Sequence, residues 1–231
     1  MFKKSLQDNL PTWKREYNNA EPFPHIVIDD LFDDDMLSEA LKEFPNSSNF
    51  RANDWSRFSS KSENLKAGLN GQGLKELPRV YQALSALNCD EFVSFLSELV
   101  GVTGLQADNT FRGGGLHEIS SGGHLGVHLD FSNYKGLWRR ANCLLYLNKE
   151  WKEEYGGHLE LYDDKPSLGG SCIKKILPVF NRLVIFGTSK NSWHGHPTPM
   201  TCPPELKRRS LASYYYSVEC GEDTTIHSTI F

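Results

Sequence analysis

Near residue 105 of this 231-residue chain the pattern of apolar residues changes character, and that change restricts the folds open to it. Before it, apolar residues recur at helical spacing. After it, helical periodicity vanishes and short strand-like segments alternate with turn residues. The segments are GGLHEIS, HLGVHLDF, ANCLLYLN, GGHLELYD, CIKKILPVF, RLVIFG and SLASYYYSV, separated by Gly-Gly, Asn-Lys, Asp-Asp and Pro-rich breaks. Strands in series after a helical segment predict an α+β chain, mainly β: a double-stranded β-helix (jelly-roll) core buttressed by N-terminal helices. No flexible linker marks the change, so residues 1–231 read as a single domain. About 1–104 form a mostly helical support with one strand, and about 105–231 the jelly-roll core.

The first part divides at prolines and glycines. Residues 1–20 are polar and read as a loosely docked helix or arm. Pro22 and Pro24 end it, and His25–Ile28 reads as a short strand. Asp33, Asp34 or Asp35 caps a helix on which Met36, Leu37, Ala40, Leu41 and Phe44 share a face, and Pro45 stops it. Residues 46–73, rich in Ser, Asn and Gly around WSRF, read as a long loop near an opening, which they cover together with Phe131–Trp138. Two helices follow, Leu74–Leu87 and Asp90–Val100. The second buries Phe92, Val93, Phe95, Leu96 and Leu99 and stops at Gly101.

Composition narrows the function classes. Hydrophobic residues make up 39% and charged residues 23%, ordinary values for a globular chain. A net charge of −4 offers no basic field for nucleic acid, and no apolar run reaches membrane-spanning length. MFKKSLQDNL lacks the apolar core of a secretory signal, so the cytoplasm is the expected compartment. The five cysteines (Cys89, Cys143, Cys172, Cys202, Cys220) are scattered, odd in number and form no CxxC pair, which fits free thiols.

The chemistry gathers around HLGVHLDF. On a strand, His124, Gly126, His128 and Asp130 share one face, and Leu125, Val127 and Leu129 the other. His128 and Asp130 can chelate one metal ion, and His124 competes for a place. A third ligand, His194 or His196 from NSWHGHP, would complete the two-His, one-carboxylate facial set that leaves positions open and suits non-haem Fe(II). In LKRRSLASYYY, Arg208, Ser210, Ala212 and Tyr214 share a face. An inward arginine needs an anion, and Arg with Ser two residues on makes a carboxylate cradle. Arg209, on the other face, competes for that role.

HLGVHLDF, RRANCLLYLNKEW, EEYGGHLELYD, NRLVIFGTSKNSWHGHP and RRSLASYYY, in that order, resemble the Fe(II)/2-oxoglutarate-dependent dioxygenases of the prolyl 4-hydroxylase-like group, and PFPHIVIDDLF resembles their N-terminal strand. The resemblance covers about residues 22–220. It implies iron held by His128, Asp130 and His194, the last favoured over His196 because it follows Ser and an aromatic residue. It implies that Arg208 and Ser210 hold the distal carboxylate of 2-oxoglutarate. Ile119 stands where many members carry a tyrosine, and Asn142 or Tyr146 would replace that contact. The implied cofactors are Fe(II), 2-oxoglutarate and O2, with ascorbate as an accessory. The implied reaction couples oxidative decarboxylation of 2-oxoglutarate to hydroxylation of proline in a peptide or protein, or of the free amino acid, with no nucleic-acid or membrane partner. The competing readings are a hydroxylase of another small molecule or side chain, a jelly-roll module that binds metal or ligand without catalysis, and a cupin-like zinc protein.

Overall fold

The structure, a computed structural model, describes residues 1–44, 56–112, 114–221 and 225–231. Its helices are α1 (Leu6–Asn18), α2 (Asp34–Glu43), α3 (Gln72–Lys75), α4 (Pro78–Asn88) and α5 (Asp90–Val100). Its strands are β1 (His25–Asp29), β2 (Ser56–Phe58), β3 (Glu63–Leu69), β4 (Gln106–Ala107), β5 (Gly115–His128), β6 (Asn133–Tyr134), β7 (Leu137–Tyr146), β8 (Leu159–Tyr162), β9 (Cys172–Ile176), β10 (Arg182–Gly187), β11 (His194–His196) and β12 (Lys207–Ser217). The main sheet runs β1-β10-β7-β12-β5-β11-β8-β9, with β3 also paired to β5. Every pairing is antiparallel. The sheet curls as a jelly roll does: side chains from β3, β5, β7, β8, β10, β11 and β12 line one cavity.

Alternation along the strands divides outside from inside. Leu116, Ala141, Cys143, Leu145, Leu183, Ile185, Leu211 and Tyr215 pack outward into one core with the helices. Asn142, Leu144, Phe186, Arg208, Ser210 and Tyr214, on the opposite parity, face the cavity. Helix α5 stops at Gly101 in the left-handed region (φ 70°), and Asp33 Oδ1 caps α2 by accepting from Met36 N at 2.9 Å. No helix among the described residues is long and apolar enough to cross a membrane. All five cysteines are free.

Four expectations need correcting. The N-terminal segment is not a loose arm. Leu6, Leu10, Trp13 and Tyr17 form a buried stripe on α1, and Trp13 meets Phe95 edge-on at 5.7 Å. The loop expected at 46–73 is structured where described: β3 hydrogen-bonds along β5 and buries Ala67 and Leu69, and β2 pairs with β3. Weak strand formers adopt strand here because the β5 edge supplies ladder partners, a tertiary effect that local propensity does not encode. The WSRF reading at Trp55, with the rest of 45–55, lies outside the described residues. Leu74–Leu87 is broken into α3 and α4 because Pro78, which has no backbone N–H, starts α4. Lastly, GGLHEIS and HLGVHLDF are one strand, β5, with Gly122 at φ 79° between them.

Trp13→Ala should therefore destabilise the protein by about 3–5 kcal/mol through lost burial and a cavity, measured by urea unfolding. A change within about 0.5 kcal/mol would restore the loose-arm reading.

Candidate metal and anion site

Two strands bring the first pair of side chains together. β11 runs antiparallel to β5 with His194 directly opposite His128, and the two imidazole centroids lie 4.5 Å apart. Gly195 permits this approach: a Cβ there would stand 2.7 Å from the Gly126 carbonyl oxygen. Asp130 follows β5 by two residues. Its carboxylate lies 3.7 Å from His128 Nε2 and 3.5 Å from His194 Nε2. The three offer ligand atoms all within 4.8 Å of one another.

Hydrogen bonds fix how each group presents itself. His128 Nδ1 lies 2.9 Å from the Gly126 carbonyl, and His194 Nδ1 lies 2.8 Å from the Ser192 carbonyl. Each Nδ1 thus carries the proton and donates it, and the Nε2 lone pair is turned to the shared centre. Burial, then His128, pushes the His194 imidazolium down to about 4, so the ring is neutral near neutral pH. Burial alone would raise Asp130, but the Arg139 guanidinium, followed by the His128 imidazole, holds its carboxyl well below the usual range. A neutral His194 and an ionised Asp130 are the states in which these groups can bind a divalent cation.

Asp130 is held by a chain that ends on a buried cation. Asn142 Nδ2 donates to Asp130 Oδ2 at 2.5 Å, and Arg139 Nε donates to Asn142 Oδ1 at 2.8 Å. Arg139 Nη2 stands 3.2 Å from the same carboxylate, and its guanidinium lies over Tyr214 and Phe131.

In the same cavity, of about 270 Å³, stand Arg208, Ser210 and His196. Arg208 is 5% exposed. Its Nε donates to the Gly157 carbonyl at 2.7 Å and its Nη2 to the Tyr146 hydroxyl at 3.1 Å. Gly157 sits at φ 70°, where a Cβ would lie 3.1 Å from Arg208 Cδ. Among the described residues no carboxylate pairs with Arg208. Arg209 points the other way, to Glu118 Oε2 at 3.0 Å. Alternation on β12 therefore sorts the two arginines as the sequence suggests.

Other sequence candidates fall differently. His124 leaves the shared face: His194 opposes His128 but His196 opposes Leu125, so β5 carries one extra residue there. This bulge turns Leu125 to the cavity and His124 toward the Lys61 carbonyl, at 3.3 Å. His196 lines the cavity but is not among the three converging ligands. Asn142 lines the cavity through its bond to Asp130, Tyr146 acts on it through Arg208, and Ile119 adds an apolar wall.

Sequence reasoning missed Arg139. Another register shift, between Tyr215 and Tyr216, leaves Arg140 unopposed on β7 and turns Arg139 inward. It also missed Lys66 and Glu63 on β3, an ion pair at 2.8 Å on the cavity wall, and the segment 225–231. That segment bridges to Leu129 through Ile230, and Phe231 lies 5.4 Å from the His128 ring. Regular spacing places Arg139 on the outward face with Ala141 and Cys143, so the sequence carried no signal for it and the bulge alone turns it inward.

Asn142→Leu should strip Asp130 of its orienting donor and lower Fe(II) or Co(II) affinity about 10–100-fold without unfolding the chain. Metal titration with circular dichroism as control checks this. Unchanged affinity would remove Asn142 from the site's support.

Residues 114–216 match the family model described as 2OG-Fe(II) oxygenase superfamily. Among curated proteins, the chain is 31% identical over 184 residues to the prolyl 3-hydroxylase OGFOD1 of Xenopus laevis, covering 76% of this chain and 32% of that protein. The chain thus spans about a third of the length of that relative. Among solved structures it is similar to a Trichoplax adhaerens prolyl hydroxylase in complex with a hypoxia inducible factor peptide. The TM-score is 0.63 at 19% identity, covering 93% of this chain and 94% of that one. It is also similar to HygX of Streptomyces hygroscopicus with nickel, 2-oxoglutarate and hygromycin B bound, with TM-score 0.55 at 12% identity, covering 83% and 82%. At these identities the solved structures speak for the fold alone, the double-stranded β-helix. Residues 114–216 thus resemble the 2OG-Fe(II) oxygenases, and the chain is similar in sequence to a prolyl 3-hydroxylase and in fold to a prolyl hydroxylase.

Proposed function

We propose that this chain is an Fe(II)- and 2-oxoglutarate-dependent hydroxylase of proline in a peptide or protein. The observation that carries the reading is the pairing, in one cavity, of three converging ligands with a buried cation that no carboxylate among the described residues neutralises. A metal site alone suits many chemistries. A metal site beside an arginine-serine cradle suits a bidentate ligand with a second, anionic end.

The residues fit both groups. His128, Asp130 and His194 would hold Fe(II) and leave coordination positions open on the cavity side. Arg208 and Ser210 would meet the distal carboxylate of 2-oxoglutarate, with Tyr146 holding the guanidinium in place. When bound, these groups supply the oxidising chemistry: 2-oxoglutarate and O2 yield succinate, carbon dioxide and a substrate hydroxyl. The protein's own part is positioning and exclusion of water. Leu144, Leu159 and Phe186 form an apolar wall, and the Nδ1 bonds keep both imidazoles from turning. Similarity to a prolyl 3-hydroxylase favours proline over other substrates.

Succinate release from the Fe(II)-loaded chain, measured against proline-containing peptides, free proline and unrelated amino acids, tests the reading. The proline peptides should stimulate it most; equal rates across the panel would remove the substrate assignment. His194→Ala should abolish metal binding, whereas His196→Ala should keep it; the reverse would exchange their roles. Arg208→Gln should keep the metal but weaken 2-oxoglutarate by about 1.5–3 kcal/mol, the contribution of a charged hydrogen bond. Arg209→Gln, whose partner is Glu118, should change that affinity little.

A further inference from the structure

We infer that His196 is a binding residue for the distal carboxylate of 2-oxoglutarate, acting beside Arg208 and Ser210; the inference rests on the cosubstrate reading above and deepens it. His196 is 3% exposed, yet among the described residues neither of its ring nitrogens has a hydrogen-bond partner. The comparable buried imidazoles His25, His128 and His194 each place Nδ1 within 2.9 Å of a backbone carbonyl. A buried polar group without a partner is costly and uncommon, and here both nitrogens of one ring are affected. A ligand that meets one of them recovers part of that cost.

The surroundings specify what the ligand is. His196 lines the same cavity as Arg208, Ser210 and Ile119. Ile119 brings no polar group to that wall, so it leaves a ligand oxygen there without a donor. Arg208 and Lys66 line that cavity too, so the ring stands among cations. An imidazole carries at least one N–H in either protonation state, and cations around it favour an anionic partner. One carboxylate has acceptor sites for the Arg208 guanidinium, the Ser210 hydroxyl and one imidazole N–H together. His194 and His196 thus share a strand and divide the cavity: one serves the metal end, the other the anion end.

The test uses the full chain, loaded with Fe(II) in the absence of oxygen, and reads ligand affinity from the metal-to-ligand charge-transfer band. 2-Oxopentanoate is the paired ligand, since it has the same 2-oxo acid end and chain length but no distal carboxylate. His196→Leu should weaken 2-oxoglutarate about tenfold or more, as loss of a hydrogen bond to a charged group does. It should leave 2-oxopentanoate unchanged, and His196→Gln, which keeps an N–H donor, should recover most of the loss. Should His196→Leu not fold, His196→Val carries the same comparison. Equal loss for both ligands would make His196 a structural residue, and no loss for 2-oxoglutarate would mean that the ligand never meets it. Either result overturns the assignment. A wild-type chain that shows a band with neither ligand fails one step earlier and overturns the cosubstrate reading itself.

Discussion

The antiparallel pairing of His194 with His128 is the contact on which the rest of the site depends. It joins β11, only three residues long, to the end of the longest strand, and it sets two imidazoles on one side of the curled sheet. A one-residue slip in this ladder would send His194 to the other face. The bulge beside it does just that to His124, which the regular alternation would have delivered to the same centre. The three-residue group therefore owes its composition to a local irregularity as much as to strand periodicity.

Burying charge shapes the rest. Asp130, Arg139 and Arg208 all lie inside the curl. Asp130 and Arg139 neutralise one another, with Asn142 as the link, so that carboxylate is oriented and ionised before any metal arrives. Arg208 has carbonyl and hydroxyl acceptors but no counter-charge among the described residues. That asymmetry sets a carboxylate-bearing part apart from a cationic part within a cavity of about 270 Å³.

The outer face holds this arrangement in place. The helices bury their apolar stripes against the outward residues of β5, β7, β10 and β12, so the strands that carry the site are backed on their outer side. Asn181 ties β10 to the start of α2: its Nδ2 donates to the Phe32 carbonyl at 2.7 Å and to Asp34 Oδ1 at 2.6 Å. Functional side chains on paired, backed strands keep their geometry better than side chains on loops.

Much of this was legible in the residues. The change from helical to strand patterning near residue 105 and the stop signal at Gly101 are local properties, written in spacing and in residue conformational preference. So is the opposite facing of Arg208 and Arg209, because strand alternation has a period of two. Other features were decided only in three dimensions. β3 became a strand because the edge of β5 offered it partners. His124 turned out of the site and Arg139 into it because two ladders each absorb one extra residue. His196 has no hydrogen-bond partner among the described residues because of what surrounds it in the folded chain. Chain spacing determines which side chains can share a face; where a ladder breaks register, and what a buried group then finds beside it, depends on residues distant in sequence and is settled only by packing.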